Sequence, residues 1–190
     1  YCSECQSSYP NSQSFCPKDG AVLAMKDRYG LAGRIVADKY QIEALVGVGG
    51  MSAVYTAQQI GVGRRVAFKI LLPHLANNAQ HVANLFEREA KTAGQLSHEN
   101  IATIYDAGYT TDEIAYIAME WVDGQTLEDE IAQSGHLTLE RSAAILRQIC
   151  GALDLAHSKL IIHRDLKPSN IMLSRRQDGQ EQVKVLDFGL

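Results

Sequence analysis

The run His163-Arg164-Asp165-Leu166-Lys167-Pro168-Ser169-Asn170 sets a carboxylate, an ammonium group and an amide at short, fixed intervals. Asp165 could orient a hydroxyl, Lys167 two positions on could neutralise a phosphate oxygen, and Asn170 five positions on could ligate a metal ion. Asp187 follows 22 residues after Asp165, at the head of Asp187-Phe188-Gly189, and adds a second oxygen ligand for a hard cation such as Mg2+. A polar surface loop with chance charges does not account for the octet and the downstream triplet together.

A second group lies upstream. Gly47-Val48-Gly49-Gly50-Met51-Ser52-Ala53-Val54 falls between two predicted strands. Glycines there let backbone N–H groups approach an anion with no side chain in the way, although a glycine-rich hairpin turn would look the same. A strand rather than a helix follows, which disfavours a dinucleotide-binding fold. Lys69 ends the apolar run Val66-Ala67-Phe68, 22 residues after Gly47. Such a lysine either snorkels to solvent or is aimed at phosphate and held by a carboxylate. Glu89, 20 residues further on in a predicted helix, is the candidate partner. Glu87 lies about 200° round that helix from Glu89, so the two cannot both face the strand.

Three of the four cysteines fall in the first sixteen residues, too few for a disulfide framework. Cys2-x2-Cys5, then ten residues, then Cys16-Pro17-Lys18-Asp19-Gly20 looks like a zinc ribbon whose fourth ligand is Asp19, since tetrahedral Zn2+ prefers thiolates and a CxxC turn supplies two. The alternative is a tail with unligated thiols. A role for this segment would be regulatory or in protein contact. Cys150, inside a long predicted helix, reads as a buried apolar residue. His98, His136 and His157 show no ligand spacing and read as structural.

These groups need elements to position them. Strands are predicted at 40–46, 52–59 and 65–71, an antiparallel meander. A helix at 78–96 follows, its stripe formed by Val82, Leu85, Phe86, Ala90 and Ala93. Strands at 101–107 and 114–120 come next, then a short helix at 126–133 and a long one at 138–158. Leu139, Ala143, Leu146, Ile149, Leu153 and Ala156 form the apolar stripe expected of the long helix. Strands at 171–173 and 183–186 close the chain. Sheet first and helices second means α+β with two lobes. The domain reading is a knuckle at 1–20, a linker at 21–37, a β-rich lobe at 38–122 and a mostly helical half at 123–190.

The chain has 190 residues, 46% hydrophobic and 21% charged, enough for a core, which excludes disorder and coiled coil as the main class. Eighteen basic against 22 acidic residues give a net charge of −4, so nucleic-acid binding through a general basic surface is excluded. No apolar run is long enough to span a membrane, and the amino terminus lacks the pattern of a signal peptide. The expected location is cytoplasmic, with a membrane anchor of the parent protein beyond Leu190 as the alternative. The chain begins at Tyr1 and stops at Leu190 without a terminating pattern, so both ends read as cut.

Together, the glycine loop, Lys69, the 163–170 octet and Asp187-Phe188-Gly189 resemble the eukaryotic-like protein kinases, and Gly-Val-Gly-Gly-Met-Ser-Ala-Val-Tyr is similar to their bacterial serine/threonine members. The resemblance covers roughly 34–190 and implies a two-lobe kinase fold truncated after Asp187-Phe188-Gly189. It implies that Val46, Gly47, Gly49 and the loop to Val54 cover ATP, and that Lys69, positioned by Glu89, pairs the α- and β-phosphates. Asp165 would be the catalytic base, Lys167 would contact the γ-phosphate, and Asn170 and Asp187 would hold Mg2+. Lys167 is similar to serine/threonine rather than tyrosine kinases. Ala118-Met119-Glu120-Trp121-Val122 looks like the hinge, with Met119 as gatekeeper, the backbone of Glu120 and Val122 on the adenine edge, and Val54, Ala67 and Met172 about the ring. Ser52 departs from the pattern, standing where a third glycine is usual. The implied partners are ATP and a protein bearing a Ser or Thr hydroxyl, with no nucleic acid. The competing expectation is a nucleotide-binding or zinc-dependent interaction module without turnover.

Overall fold

The computed structural model describes residues 2, 4–5, 7, 16–20, 27, 29–72, 86, 90–176 and 178–188. The chain divides into two compact units, Tyr1–Glu87 with Tyr105–Trp121 and Arg88–Ile104 with Val122–Leu190.

The first unit is built on a six-stranded sheet of β1 (Ile35–Val36), β2 (Tyr40–Val48), β3 (Ser52–Gln59), β4 (Arg64–Leu71), β5 (Ile104–Tyr109) and β6 (Ala115–Glu120), in the order β1-β2-β3-β4-β6-β5. Alternation decides its two faces. Ala53, Tyr55, Ala57, Val66, Phe68, Ile70, Tyr116 and Ala118 all point to one side and form its core with Tyr40, Ile42 and Leu45. Tyr40, Phe68 and Tyr116 pack ring against ring, Phe68 and Tyr116 stacked at 4.8 Å. The polar ends of this cluster converge on one carboxylate. Asp106 Oδ2 accepts from Lys39 Nζ at 3.1 Å, Tyr40 OH at 3.1 Å and Tyr116 OH at 3.3 Å, joining β2, β5 and β6. A similar anchor holds the approach to β1, where Asp27 accepts from the N–H groups of Tyr29, Gly30 and Ala32 and from Tyr55 OH at 2.7 Å.

The second unit packs α1 (Leu127–Ser134) and α2 (Leu139–Ser158) with a three-stranded sheet of β7 (Gly124–Thr126), β8 (Ile171–Arg175) and β9 (Glu181–Val185). Thr126 and Thr138 cap the helices, accepting from Asp129 N and Arg141 N, and Gly135 ends α1 at φ 76°. Arg141 on α2 grips Glu130 on α1 at 2.7 Å and Glu181 on β9 at 2.6 Å. Asn100 Nδ2 donates to Gln148 Oε1 and to Val183 O, both at 2.8 Å, so the 100–102 segment lies against β9. Gly124 is demanded by space, since a Cβ there would stand 2.0 Å from Leu173 O.

Several expectations shift. β1 and β7 were not expected, being two and three residues long. Ile101 makes a parallel bridge to Val185, so the strand expected from 101 begins at Ile104. The face of α2 that is buried runs through Ile145, Ile149, Ala152 and Ala156, while Leu139 is 81% and Leu146 58% exposed. Cys150 is therefore exposed, not buried: it sits one position past Ile149, off the buried face. Of the helix expected at 78–96, Phe86 and 90–93 are helical, with Phe86, Ala90 and Ala93 buried.

Candidate functional site

The face of the first sheet opposite its core collects the expected nucleotide residues. Cross-strand pairing sets Val54 beside Lys69, Lys69 beside Ile117, and Ala67 beside Met119, and paired residues of antiparallel strands share a face. Lys69 is buried to 3% exposure, with its ammonium 5.9 Å from the centroid of Phe86. A charge so buried needs a counter-charge. Glu89, expected to supply it, lies outside the described residues, as do Glu87 and Gly189. Glu120 pairs with Val66 at the end of β6.

Gly47 pairs with Val54, and Val46 is the extra residue of a bulge between Leu45 and Gly47. The loop closes through Gly49 N–H to Ser52 O at 2.7 Å. None of Gly47, Gly49 or Gly50 has a positive φ, and a Cβ on Gly50 would meet nothing within 4 Å. The fold of the unit thus does not require glycine at 50. The bare backbone there suits the close approach of something outside the chain.

In the second unit the octet forms a knot of hydrogen bonds around Asp165. Lys167 Nζ lies 2.7 Å from Asp165 Oδ2, and Asn170 Nδ2 donates to Asp165 O at 2.8 Å and Oδ2 at 3.1 Å. The hydrogen bond and charge of Lys167, aided by Asn170, hold the Asp165 carboxyl below its ordinary value against the opposing effect of desolvation. With Nδ2 committed to Asp165, the Asn170 Oδ1 is the end of the amide that can coordinate a cation. Pro168–Asn170 is one 3-10 turn, and Met172 follows on β8, half-buried, paired with Thr126 and Lys184.

His163, a member of the octet to which its sequence position gives no role, ties the arrangement together. It is buried to 2% exposure, and its Nε2 bonds to Leu186 O at 2.8 Å while Nδ1 accepts from Asp165 N–H at 3.3 Å. A carbonyl can only accept, so Nε2 carries the proton. Its ring packs on Phe188 at 4.7 Å. Leu186 N–H in turn donates to Asn170 O at 2.9 Å. The two segments that carry Asp165, Asn170 and Asp187 are thus locked in register, with Arg164 and Asp187 held at φ 68° and 56°. Asp187 is half-buried, and Val122 at the start of the unit is buried. Oxygen donors at Asn170 and Asp187 match what Mg2+ requires.

Apart from these halves, Cys2, Cys5, Cys16 and Asp19 bring their ligand atoms within 4.8 Å of one another. The Cys2 thiol is pulled down by the Cys5 N–H, but burial and the adjoining thiols outweigh this and push it up to about 11.

Residues 40–190 match the family described as the protein kinase domain. The chain belongs to the protein kinase family. Among curated relatives, this kinase chain is 42% identical over 158 residues to the serine/threonine-protein kinase pkn3 of Myxococcus xanthus, covering 83% of this chain and 29% of that protein. It is 42% identical over 160 residues to the serine/threonine-protein kinase PrkC of Bacillus subtilis, covering 84% and 24%. The crystal structure of the PknI kinase domain of Mycobacterium tuberculosis superposes with a TM-score of 0.70 at 31% identity, covering 83% of this chain and 62% of that one. The α+β, kinase-like two-lobe architecture follows from these matches. The chain spans less than a third of the length of the two curated relatives. Among the described residues, no helix is long and apolar enough to cross a membrane.

Proposed function

We propose that this kinase chain carries the ATP-binding and phosphoryl-transfer residues of a protein kinase acting on serine or threonine hydroxyls. The observation that carries the reading is the constellation at Asp165, in which one carboxylate oxygen takes both Lys167 and Asn170. Oδ1 is left for an incoming hydroxyl. Held below its ordinary value by Lys167, Asp165 is an anion at neutral pH. It accepts the hydroxyl hydrogen bond, aligns the oxygen, and takes the proton as the oxygen commits to phosphorus. Its principal contribution is therefore orientation rather than strong basicity.

Lys69 and Lys167 are the cations for the phosphates, and Glu89 is the partner that orients Lys69. The loop from Val46 through Gly47 and Gly49 to Val54 offers N–H groups to the phosphates. Ala67, Met119 and Met172 supply apolar surface to the adenine, and the backbone of Glu120 and Val122 its polar edge. Asn170 Oδ1 and the Asp187 carboxylate would hold Mg2+, which when bound neutralises charge on the phosphate oxygens. The chain reads as a knuckle at 1–20, a linker at 21–37, a first lobe and hinge at 38–122 and a second-lobe portion at 123–190. With ATP as donor and four cysteines outside any disulfide, the working location is the cytoplasm.

The test is MgATP-dependent phosphorylation of the chain and of a generic serine/threonine substrate, followed by intact-mass spectrometry. Wild type adds phosphate to Ser or Thr, and Asp165→Asn slows transfer by about 10²- to 10⁴-fold. Equal transfer by both, or transfer to tyrosine alone, contradicts the proposal.

A further inference from the structure

We propose that Cys2, Cys5, Cys16 and Asp19 form a structural zinc site that organises the amino-terminal segment. Cys5 Sγ and Cys16 Sγ stand 3.4 Å apart, and Cys2 Sγ lies 3.5 and 3.4 Å from the two oxygens of Asp19. With Zn–S bonds of about 2.3 Å and a Zn–O bond of about 2.0 Å, the edges of a tetrahedron are about 3.5 to 3.8 Å. Two of the six ligand pairs, Cys5 with Cys16 and Cys2 with Asp19, already stand near that figure, all four ligand atoms lie within 4.8 Å of one another, and none of the cysteines is in a disulfide.

The backbone forms two turns of the kind that present such ligands. Cys5 N–H donates to Cys2 Sγ at 3.4 Å in the first. In the second, Gly20 N–H returns to Cys16 O at 2.8 Å, with Gly20 at φ 73°. Cys2 N–H also reaches across to Ser7 O at 2.9 Å. Among the described residues, the cluster these turns enclose consists of Cys2 and Cys16, both buried, with Cys5 packed against them. Three small thiols cannot offset the chain entropy of ordering such a segment, whereas a tetrahedral metal can.

Three thiolates and one carboxylate select Zn2+ over hard cations, and four protein ligands leave no open position, which marks a structural site. The site shares no residue with the kinase residues at 46–69, 119–122 or 163–187, so its test is independent of phosphoryl transfer.

The experiment is metal analysis of the purified 190-residue chain by inductively coupled plasma mass spectrometry after dialysis without chelator, with Co2+ titration of metal-free protein as a second readout. One zinc per chain is expected, and Co2+ gives the thiolate charge-transfer and tetrahedral d–d bands. Cys5→Ser loses the metal while the thermal transition of the kinase units is unchanged. Asp19→Ala weakens zinc retention against a chromophoric chelator by about 10- to 100-fold. Asp19→Cys strengthens it. A wild-type chain without zinc or a cobalt thiolate spectrum overturns the proposal. So does zinc content unaffected by Cys5→Ser, and so does iron in place of zinc.

Discussion

Replacing His163 with leucine should loosen both segments that the imidazole joins. Leucine keeps most of the volume, so the cavity contribution is small. What disappears is the Nε2 proton given to Leu186 O and the Nδ1 acceptor for Asp165 N–H. The half-buried Leu186 carbonyl left without its donor costs about 1–2 kcal/mol, and loss of the ring contact with Phe188 about 0.5–1 kcal/mol more. The total is about 1.5–3 kcal/mol, which corresponds to roughly 10- to 150-fold faster opening. Hydrogen exchange reads this directly at the amides of Asp165 and Leu186, whose partners are His163 and Asn170. Exchange should accelerate at both, while amides of β3 and β4 change little. Acceleration of less than about threefold at both amides, equivalent to roughly 0.6 kcal/mol, would refute the assignment of His163 as the tie.

Gly124→Ala forces a methyl carbon against the Leu173 backbone, where the oxygen stands 2.0 Å away and cannot swing aside. A thermal melt should show a loss of about 3 kcal/mol or more in the second unit. Gly50→Ala is the opposite case: the new methyl meets nothing, so stability stays within about 0.5 kcal/mol, but ATP affinity should fall if the loop covers phosphate. Asp106 sits below its ordinary 3.8; burial alone would raise it, but the bonds from Lys39 and Tyr40 prevail. A carboxyl lowered by folding stabilises above its unfolded pKa and loses that contribution as pH falls through the folded value. The acid limb of the stability curve, below pH 3.8, should therefore be shallower in Asp106→Asn, with lower stability at pH 7. Identical acid limbs in urea titrations would contradict this.

Strands β3 and β4 were legible from the partial alternation of their apolar residues, and β6 from its short continuous apolar run, buried at five successive positions. Val54, Ala67, Lys69 and Met119 were brought together in the sequence by the kinase resemblance, and it is the cross-strand register that sets Val54 beside Lys69 and Ala67 beside Met119. The octet was legible for another reason, since its residue types are dictated by charge and ligation chemistry. The span of helix α2 was legible, 138–158 expected against Leu139–Ser158, but its buried face was not, because apolar residues run round it: Leu139, Ala143 and Leu146 fit helical spacing as well as Ile145, Ile149 and Ala152 do. Periodicity cannot choose between two such stripes; contact with Val183 and Leu173 in the same core does. Cys150, expected to be buried as an apolar residue of this helix, is exposed because it lies off that face. β7 escaped because Gly124-Gln125-Thr126 is too short for a period, although Gly124 marked the close approach. His163 carried no sequence signal of its tie to Leu186, 23 residues on, because that contact exists only once β8 and β9 pair. Likewise the meeting of Lys39, Tyr40 and Tyr116 on Asp106 joins residues that nothing in their spacing connects.

If Asp187 and Asn170 serve a metal–nucleotide while Asp165 serves the hydroxyl, ATP titration with and without Mg2+ separates them. Isothermal calorimetry is run on the wild-type chain, Asp165→Asn and Asp187→Ala. Mg2+ should tighten ATP binding in wild type, Asp165→Asn should keep this within about threefold, and Asp187→Ala should lose it by about tenfold or more. ATP binding indifferent to Mg2+ in the wild type, or the same loss in both variants, would contradict this division of roles.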